Sequence, residues 1–433
     1  MFKFSISKLY LALILFLSMS VTLFAVDKKT SQLVDFEIQK HRAEILKTRR
    51  FLHMNPELSN REFETSKLIA AKLMSLGLDV QTGIAKTGVV ALLTGDQPGI
   101  TVGCRADMDA LPIQEQTDLP YKSLNPGVMH ACGHDIHMSV ALGTAMVMSS
   151  LRDRLQGNIK FIFQPAEEGA PPGEEGGARL MIKEGVLDNP PVRAIFGLHV
   201  MPVELGKIQF SAGAIMASSD RFEITIKGQS SHGARPHEGK DAITLAAQVI
   251  LGIQTIVSRN LEATDPAVIS IGKIEGGIRS NIIADEVRLE GTVRTLSETN
   301  RSKIQELMEN IVKGITSSVG ADYAFIYRRG SSPVYNHPQL AKIMSPTLQK
   351  VLGAANVEEI TPQMVAEDFA AYCQKVPGFF FFLGVKPPEQ KSMAPLHSPL
   401  FNPDERSIAI GIKVMCHLLF DSLESQSYIQ DTS

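Results

Sequence analysis

Apolar and polar positions along this chain alternate between helical and strand spacing. From Ser31 to about His53 the pattern is helical with charged faces, and Asn55–Glu57 breaks it. A second helix is predicted over Glu62–Leu76, with Leu68, Ile69, Leu73 and Leu76 on one face and Gly77 as its stop. Gly88–Thr94 and Ile100–Arg105 read as apolar strands, and the second switches abruptly to charge in Arg105-Ala106-Asp107-Met108-Asp109. A small-residue helix is expected over about Met138–Ser150. Buried strands are expected over Asn158–Gln164 and Val192–Leu198. The first leads into Pro165-Ala166-Glu167-Glu168-Gly169 and a Gly/Pro-rich loop to Gly177; the second ends in His199. Such alternation predicts an α/β fold, a mostly parallel sheet with helices on both faces. Three strands run into chemistry at Asp107, Glu167/Glu168 and His199. In open α/β sheets the site lies in the crevice beyond the carboxyl ends of the strands.

From about Ala212 to Arg329 the rhythm changes. Strands are predicted over Arg221–Lys227, Ala267–Ile274, Asp285–Thr295 and Asp322–Arg328, and helices over Lys240–Ser258 and Arg301–Ser318. In the latter helix Ile304, Leu307, Met308, Ile311, Val312 and Ile315 form one stripe. The order β-α-β-β-α-β is that of the ferredoxin-like motif. It reads as a compact α+β domain, residues 212–329, inserted into a larger domain formed by 26–211 and 330–433. Beyond it, helices are expected over Gln339–Leu352, Gln363–Lys375 and Asp404–Leu419, with a strand over Phe379–Leu383.

The chain has 433 residues and a formal charge of −3, with 44% hydrophobic and 21% charged residues. That length predicts two domains, and the charge gives no reason to expect nucleic acid or an acidic membrane surface as partner. Lys3 and Lys8 precede an apolar run from Leu9 to Phe24, and Ala25 is a small residue suited to a cleavage site. Residues 1–25 therefore read as a signal peptide, and the protein as exported, periplasmic or secreted, without stable membrane insertion after cleavage. No other run looks long enough to cross a bilayer. The four cysteines, Cys104, Cys132, Cys373 and Cys416, are too scattered for a disulfide-stapled mini-domain, and Cys416 falls in an apolar helix pattern.

Candidate chemistry centres on Val128–His137, VMHACGHDIH. Cys132 and His134 offer a thiolate and an imidazole on one short stretch, both good ligands for zinc and related divalent ions. No second Cys/His pair follows at finger spacing, so further ligands must come from far along the chain. Glu167 and Glu168 are adjacent after a strand and tend to diverge. One could bind metal while the other takes a proton from water, the division of labour of metal-assisted hydrolysis. His199 at a strand end and His397 between prolines are further candidates. His232 and His237 lie in the inserted domain and could be delivered to the site from another domain or subunit.

The chain resembles the zinc-dependent aminoacylase/carboxypeptidase superfamily. It is most similar to its amidohydrolase branch of hippurate hydrolases, indoleacetyl–amino acid (auxin conjugate) hydrolases and N-acyl-amino-acid amidohydrolases. The motifs that carry the resemblance are RRFLHMNPELSNRE at 49–62, GCRADMDALP at 103–112, MHACGHDIH at 129–137, QPAEEG at 164–169, GLHV at 197–200, SSHGARPHEGKDA at 230–242, AEDFA at 366–370 and LHSP at 396–399. The resemblance implies that Cys132, His134, Glu168, His199 and His397 hold two divalent metal ions per subunit, whether zinc, manganese, cobalt or nickel. It implies Glu167 as general base and then acid, and Asp107 as the group that orients a histidine ligand. His232 would stabilise the oxyanion, often across a homodimer formed through the inserted domain. Asn281 and Arg294 would hold the carbonyl and carboxylate of a small-molecule substrate. Two features depart from the family's pattern, the long Gly169–Gly177 link and Val365 before AEDF.

The expected activity is hydrolysis of N-acyl-amino acids to a carboxylic acid and a free amino acid. A metallocarboxypeptidase or dipeptidase would use the same site with a different pocket. A non-catalytic binding protein on the same fold would have no need of Glu167.

Overall fold

The computed structural model describes residues 28–425, so the expected signal peptide lies outside the described residues. The chain enters through α1 (Lys28–Met54) and α2 (Phe63–Ser75), then forms β1 (Asp79–Ile84), β2 (Gly88–Thr94) and β3 (Gln97–Asp107). After a loop come α3 (His134–Ser150), β4 (Gln156–Gln164), α4 (Gly177–Lys183) and β5 (Val192–Glu204). β6 (Ile208–Phe210) and β7 (Gly213–Met216) lead to β8 (Asp220–Lys227), β9 (Ser231–His232), α5 (Ala242–Thr255), β10 (Ala267–Gly276), β11 (Ile282–Ile283), β12 (Glu286–Thr295), α6 (Glu298–Ser317) and β13 (Asp322–Arg329). The chain returns through β14 (Val334–Asn336), α7 (Pro338–Leu352), β15 (Val357–Glu359), α8 (Ala370–Cys373), β16 (Gly378–Lys386) and α9 (Arg406–Glu424).

The larger sheet has the order β1-β2-β4-β3-β5-β16-β6-β15. Its centre, β4-β3-β5-β16, is parallel, whereas β1 and β2 add antiparallel at one edge. The central strands are buried on both faces, as the unbroken apolar run GFFFFLGV in β16 requires. α3 is buried through its first fifteen residues and packs between the sheet, α1 and α9. Cys416 is fully buried within α9, and all four cysteines are free thiols.

β3 and β5 pair only as far as Cys104 and Phe196. Beyond that point the two strands separate, and β5 continues paired with β16 alone. The gap lies at the carboxyl ends of the parallel strands, and the candidate ligands gather there.

The smaller sheet has the order β10-β12-β8-β13, all antiparallel, with α5 and α6 packed on one face around Ile224, Val249, Leu289 and Met308. This is the expected β-α-β-β-α-β motif.

Several expectations are corrected. α3 begins at His134 rather than Met138, so part of the motif read as a loop is the first turn of a buried helix. His199 lies inside β5, which runs on to Glu204. Pro202 is tolerated there because β3 no longer needs a donor from that side of the strand. The helix expected over Gln363–Lys375 shrinks to Ala370–Cys373, because Glu367 and Asp368 are drawn into ion pairs with Arg105. One further segment, Ala242–Asn260, is long and apolar enough for a membrane span, contrary to expectation. Its buried residues pack on the smaller sheet, which accounts for much of that apolar character.

Candidate metal centre

The turn before α3 sets the geometry. Gly133 takes φ 87, and a Cβ there would collide with the Val200 side chain, so only glycine fits between Cys132 and His134. Cys132 Sγ lies 3.3 Å from His199 Nε2 and 3.2 Å from His397 Nε2. His397 Nε2 is also 3.2 Å from Glu168 Oε1. His134 Nε2 stands 4.0 Å from Glu168 and 3.9 Å from Glu167. Cys132, His134, Glu168, His199 and His397, together with Glu167, thus converge from four separate parts of the chain. Ala166 and His397 hold left-handed backbone, φ 55 and 64, strain of the kind that gathers at functional sites.

The donor set fits divalent cations. Both His134 ring nitrogens are buried without hydrogen-bond partners. Six carboxylates gather around His134 and the buried Arg105: Asp107, Glu367 and Asp368 pair with the guanidinium, and Asp109, Glu167 and Glu168 stand near the imidazole. That excess of buried negative charge calls for cations. Burial alone would keep His134 neutral, yet Asp107 and Asp109 push its pKa up to about 10, the sign of a field that favours positive charge. Burial and the neighbouring Glu168 raise the Cys132 thiol well above its ordinary range, so only a cation at the centre would strip its proton. Burial also opposes ionisation of Glu168, but the hydrogen bond from His397 and the charge of His134 outweigh it and hold the carboxyl at about 2. Glu167 moves the other way: burial, then Glu367 and Glu168, push it well above the usual carboxylate range. The two adjacent glutamates are electrostatically distinct, as their proposed division of labour requires.

Asp107 does less at His134 than expected. It accepts a 2.6 Å hydrogen bond from His137 Nδ1, whereas the carboxylate nearer to His134 Nδ1 is Asp109, at 3.4 Å against 3.7 Å. His137 also accepts the Val200 N–H at Nε2, 2.9 Å, so both its nitrogens are engaged and it has no lone pair for a metal. His199 donates Nδ1–H to its neighbour's carbonyl, Val200 O, at 2.7 Å, which leaves Nε2 facing Cys132.

Sequence reasoning assigned no role to four residues that build this site. Asp109 receives the backbone N–H groups of Glu167 and Glu168, at 3.1 and 3.0 Å, and so grips the loop that carries both. Glu62 accepts the Ala166 N–H at 3.0 Å. Arg105 donates to Gln164, Asp107, Glu367 and Asp368, tying the ends of β3 and β4 to the loop before α8. Glu367 lies beside Glu167 with one oxygen unpartnered. All four fall inside the quoted motifs, and for Arg105 a charge within an apolar run was the available signal.

Arg294 lines a cavity of about 600 Å³ together with Glu167, Glu168 and His397. His232 and Asn281 do not line it. They sit on the small β9–β11 ladder, where His232 pairs with Ile282 and is exposed.

Known proteins match this sequence and this fold. The sequence profile of peptidase family M20/M25/M40 matches residues 103–421. The chain belongs to this family. An N-acyl-L-amino acid amidohydrolase of Geobacillus stearothermophilus is 45% identical over 303 residues, 70% of this chain and 80% of that protein. Thermostable carboxypeptidase 2 of Saccharolobus solfataricus is 40% identical over 370 residues, 85% of this chain and 92% of that protein. The crystal structure of Bacillus subtilis YXEP, described as a dinuclear metal binding peptidase of the M20 family, superposes with a TM-score of 0.77 at 36% identity, covering 89% of this chain and 99% of that one. This M20 chain is accordingly a hydrolase of the amidohydrolase and peptidase kind.

Proposed function

We propose that this M20 chain is an exported amidohydrolase that cleaves N-acyl-amino acids to a carboxylic acid and a free amino acid. One observation carries the reading: Glu167, Glu168 and His397 line one cavity with Arg294 and another with Cys132 and His199, so the ligand cluster and the arginine meet at the same three side chains. Two divalent ions held by Cys132, His134, Glu168, His199 and His397 would polarise the scissile carbonyl and lower the pKa of water. Glu167 takes the proton of the attacking water at its carboxylate and passes it to the leaving amine nitrogen. Its raised pKa suits a group that must hold that proton between the two steps. Arg294 receives the substrate carboxylate. The Cys/His share of the donor set favours zinc, cobalt or nickel over magnesium or calcium, with manganese also admitted by the carboxylate. Export rests on Lys3, Lys8 and the apolar run 9–24.

Residues 212–329 form the lid and dimerisation domain in this reading, and His232 and Asn281 serve the site of a partner subunit. Two features support that arrangement: both residues lie off the cavity of their own chain, and β10 is an edge strand with Val268 and Ile274 exposed. Mixing inactive His232→Ala and Glu167→Gln subunits should restore activity if each site borrows its histidine. Failure of the mixture to recover would place His232 within its own chain's reaction or outside the chemistry.

The test of the activity is amino-acid release by metal-loaded protein from benzoyl-, indoleacetyl- and acetyl-amino acids and from dipeptides, with and without chelator. Chelator-sensitive release from acyl-amino acids supports the reading. Release chiefly from dipeptides makes the protein a metallopeptidase. No release from any of them, with metal shown to be bound, overturns the hydrolysis proposed for these substrates.

A further inference from the structure

The wall of the cavity opposite the metal ligands is built from arginine. Arg221 of β8, Arg294 of β12 and Arg328 of β13 line it, on the sheet face away from α5 and α6. Arg221 and Arg328 are direct cross-strand partners. Arg221 is paired with Thr292, which puts Arg294 on the adjacent diagonal, within reach of a long side chain. Like charges placed directly opposite on a sheet destabilise it, so such a cluster ordinarily carries its own counter-ions.

No counter-ion is supplied from within. Among the described residues neither Arg221, Arg294 nor Arg328 makes an ion pair; Arg294 reaches only the Ser218 carbonyl, at 3.5 Å. Asp220, the carboxylate whose charge acts on Arg294, is already saturated. It accepts from Arg301 at 2.5 and 2.8 Å, from the Tyr327 hydroxyl at 2.8 Å and from the Gly330 N–H at 3.0 Å. Glu167, Glu168 and Glu367 line the same cavity, yet none lies within ion-pair distance of these guanidinium groups. Arg329, by contrast, is occupied by Gln305 and Ser302. Burial and the charge of Arg221 lower the Arg294 pKa, although Asp220 opposes them, the electrostatic mark of cations held together without an anion between them.

One substrate carboxylate occupies one arginine in a bidentate fork. Three free guanidinium groups exceed what a monocarboxylic amino acid needs. We propose that the amino acid released by this enzyme is dicarboxylic, of the aspartate or glutamate type, with its α-carboxylate on Arg294 and its side-chain carboxylate between Arg221 and Arg328. This inference rests on the amidohydrolase reading and adds the class of amino acid to it.

Glutamate and glutamine differ in that carboxylate and hardly in size, so the pair isolates the effect. With benzoyl as the common acyl group and the metal-loaded full chain, kcat/KM for benzoyl-glutamate should exceed that for benzoyl-glutamine by about 10–100-fold, the range of one or two charge-assisted contacts. In the Arg221→Gln/Arg328→Gln double variant the ratio should fall to within about twofold of unity. Equilibrium binding of the same two compounds to Glu167→Gln protein, with and without the arginine substitutions, should show the same loss without turnover. The double variant should unfold at or above the wild-type temperature, because it removes two facing like charges; a lower temperature assigns the arginines to the scaffold and overturns the subsite. A wild-type ratio near one, with benzoyl-glutamine or benzoyl-glycine cleaved well, overturns this inference alone and leaves the amidohydrolase standing. A glutamate preference that survives the double variant also overturns it. Absence of cleavage and of binding for every acyl-amino acid overturns both readings together.

Discussion

His134 and Asp135 are consecutive at the start of α3, yet they belong to two buried clusters of opposite character. On the Asp135 side charges close on one another at hydrogen-bond distance. Arg49 Nε lies 2.9 Å from Asp135, His53 Nδ1 lies 2.8 Å from the same carboxylate, and His53 Nε2 reaches Glu115 at 3.3 Å. Arg49 and Arg50 both lie over the Tyr121 ring, 5.1 and 4.9 Å from its centroid. On the His134 side the groups stand off, with carboxylates 3.4–4.0 Å from the ring nitrogens and neither nitrogen hydrogen-bonded. Buried charges that complete one another hold the helix start in place. Those left incomplete form a receptor for something that must be brought in. Titratable residues crowd both clusters, and atoms without hydrogen-bond partners occur in both, Arg49 Nη2 and Asp135 Oδ1 as well as the His134 nitrogens; the distances distinguish them, since Asp135 has its cations in contact at 2.8 and 2.9 Å.

The contrast can be broken from either side. The largest effect is expected at Glu167: Glu167→Gln should lower kcat/KM by about 10²–10⁴-fold, the usual contribution of a general base. Its thermal stability should equal or exceed that of the wild type, because the charge removed is one that burial, Glu367 and Glu168 already oppose. A variant both inactive and markedly less stable would place Glu167 with the scaffold.

Arg49→Met should reverse that pattern. It leaves Asp135 buried and unpaired from its guanidinium, which costs about 3–5 kcal/mol of stability, read from denaturant melts. Turnover per folded, metal-loaded molecule should stay close to wild type. A large loss of kcat at unchanged stability would show that the two clusters are one machine.

A smaller effect sharpens the distinction through pH. Burial opposes ionisation of Asp135, but Arg49 and His53 outweigh it and hold its carboxyl far below 3.8, so its contribution is present above that value and lost only as pH falls below it. Burial and Arg49 lower the His53 pKa, yet Asp135 outweighs them and raises it above 6.5, so its contribution is complete below 6.5 and lost as pH rises through the raised value. The stability difference between wild type and His53→Gln should therefore be greatest between about pH 4 and 6.5 and shrink above it. A difference that grows with pH would contradict the pairing.

Much of this site was legible because its residues interrupt apolar strands: Asp107 ends β3, and Glu167 and Glu168 follow β4 within four residues. The ferredoxin-like order was legible because the stripe of α6 and the flanking strands are long and regular. The partners of these groups were not legible. Arg105 and Asp109 stand beside Asp107 in the chain, but which carboxylate faces His134 depends on how β3 and β4 pair, and periodicity does not carry that information. The helix expected over 363–375 failed through a similar long-range pull. Arg105 takes Glu367 and Asp368 at 2.9 Å, and the local helical preference yields to it. His199 was placed at a strand end because the apolar run VRAIFGL stops there; the continuation of β5 to Glu204 beside β16 is a matter of long-range pairing.

That divergence of β3 and β5 leaves the Val200 amide with an imidazole where a peptide carbonyl would otherwise stand. A carbonyl is a fixed acceptor, whereas His137 accepts at Nε2 only while Nδ1–H remains committed to Asp107. The last rung of the sheet thus depends on a side chain's tautomer, and the exchange of a single backbone proton with solvent becomes a clock for the site. Any event that draws Asp107 away from His137 weakens the acceptor, and the Val200 N–H should then trade its proton for deuterium faster while the amides deeper in β5 keep theirs.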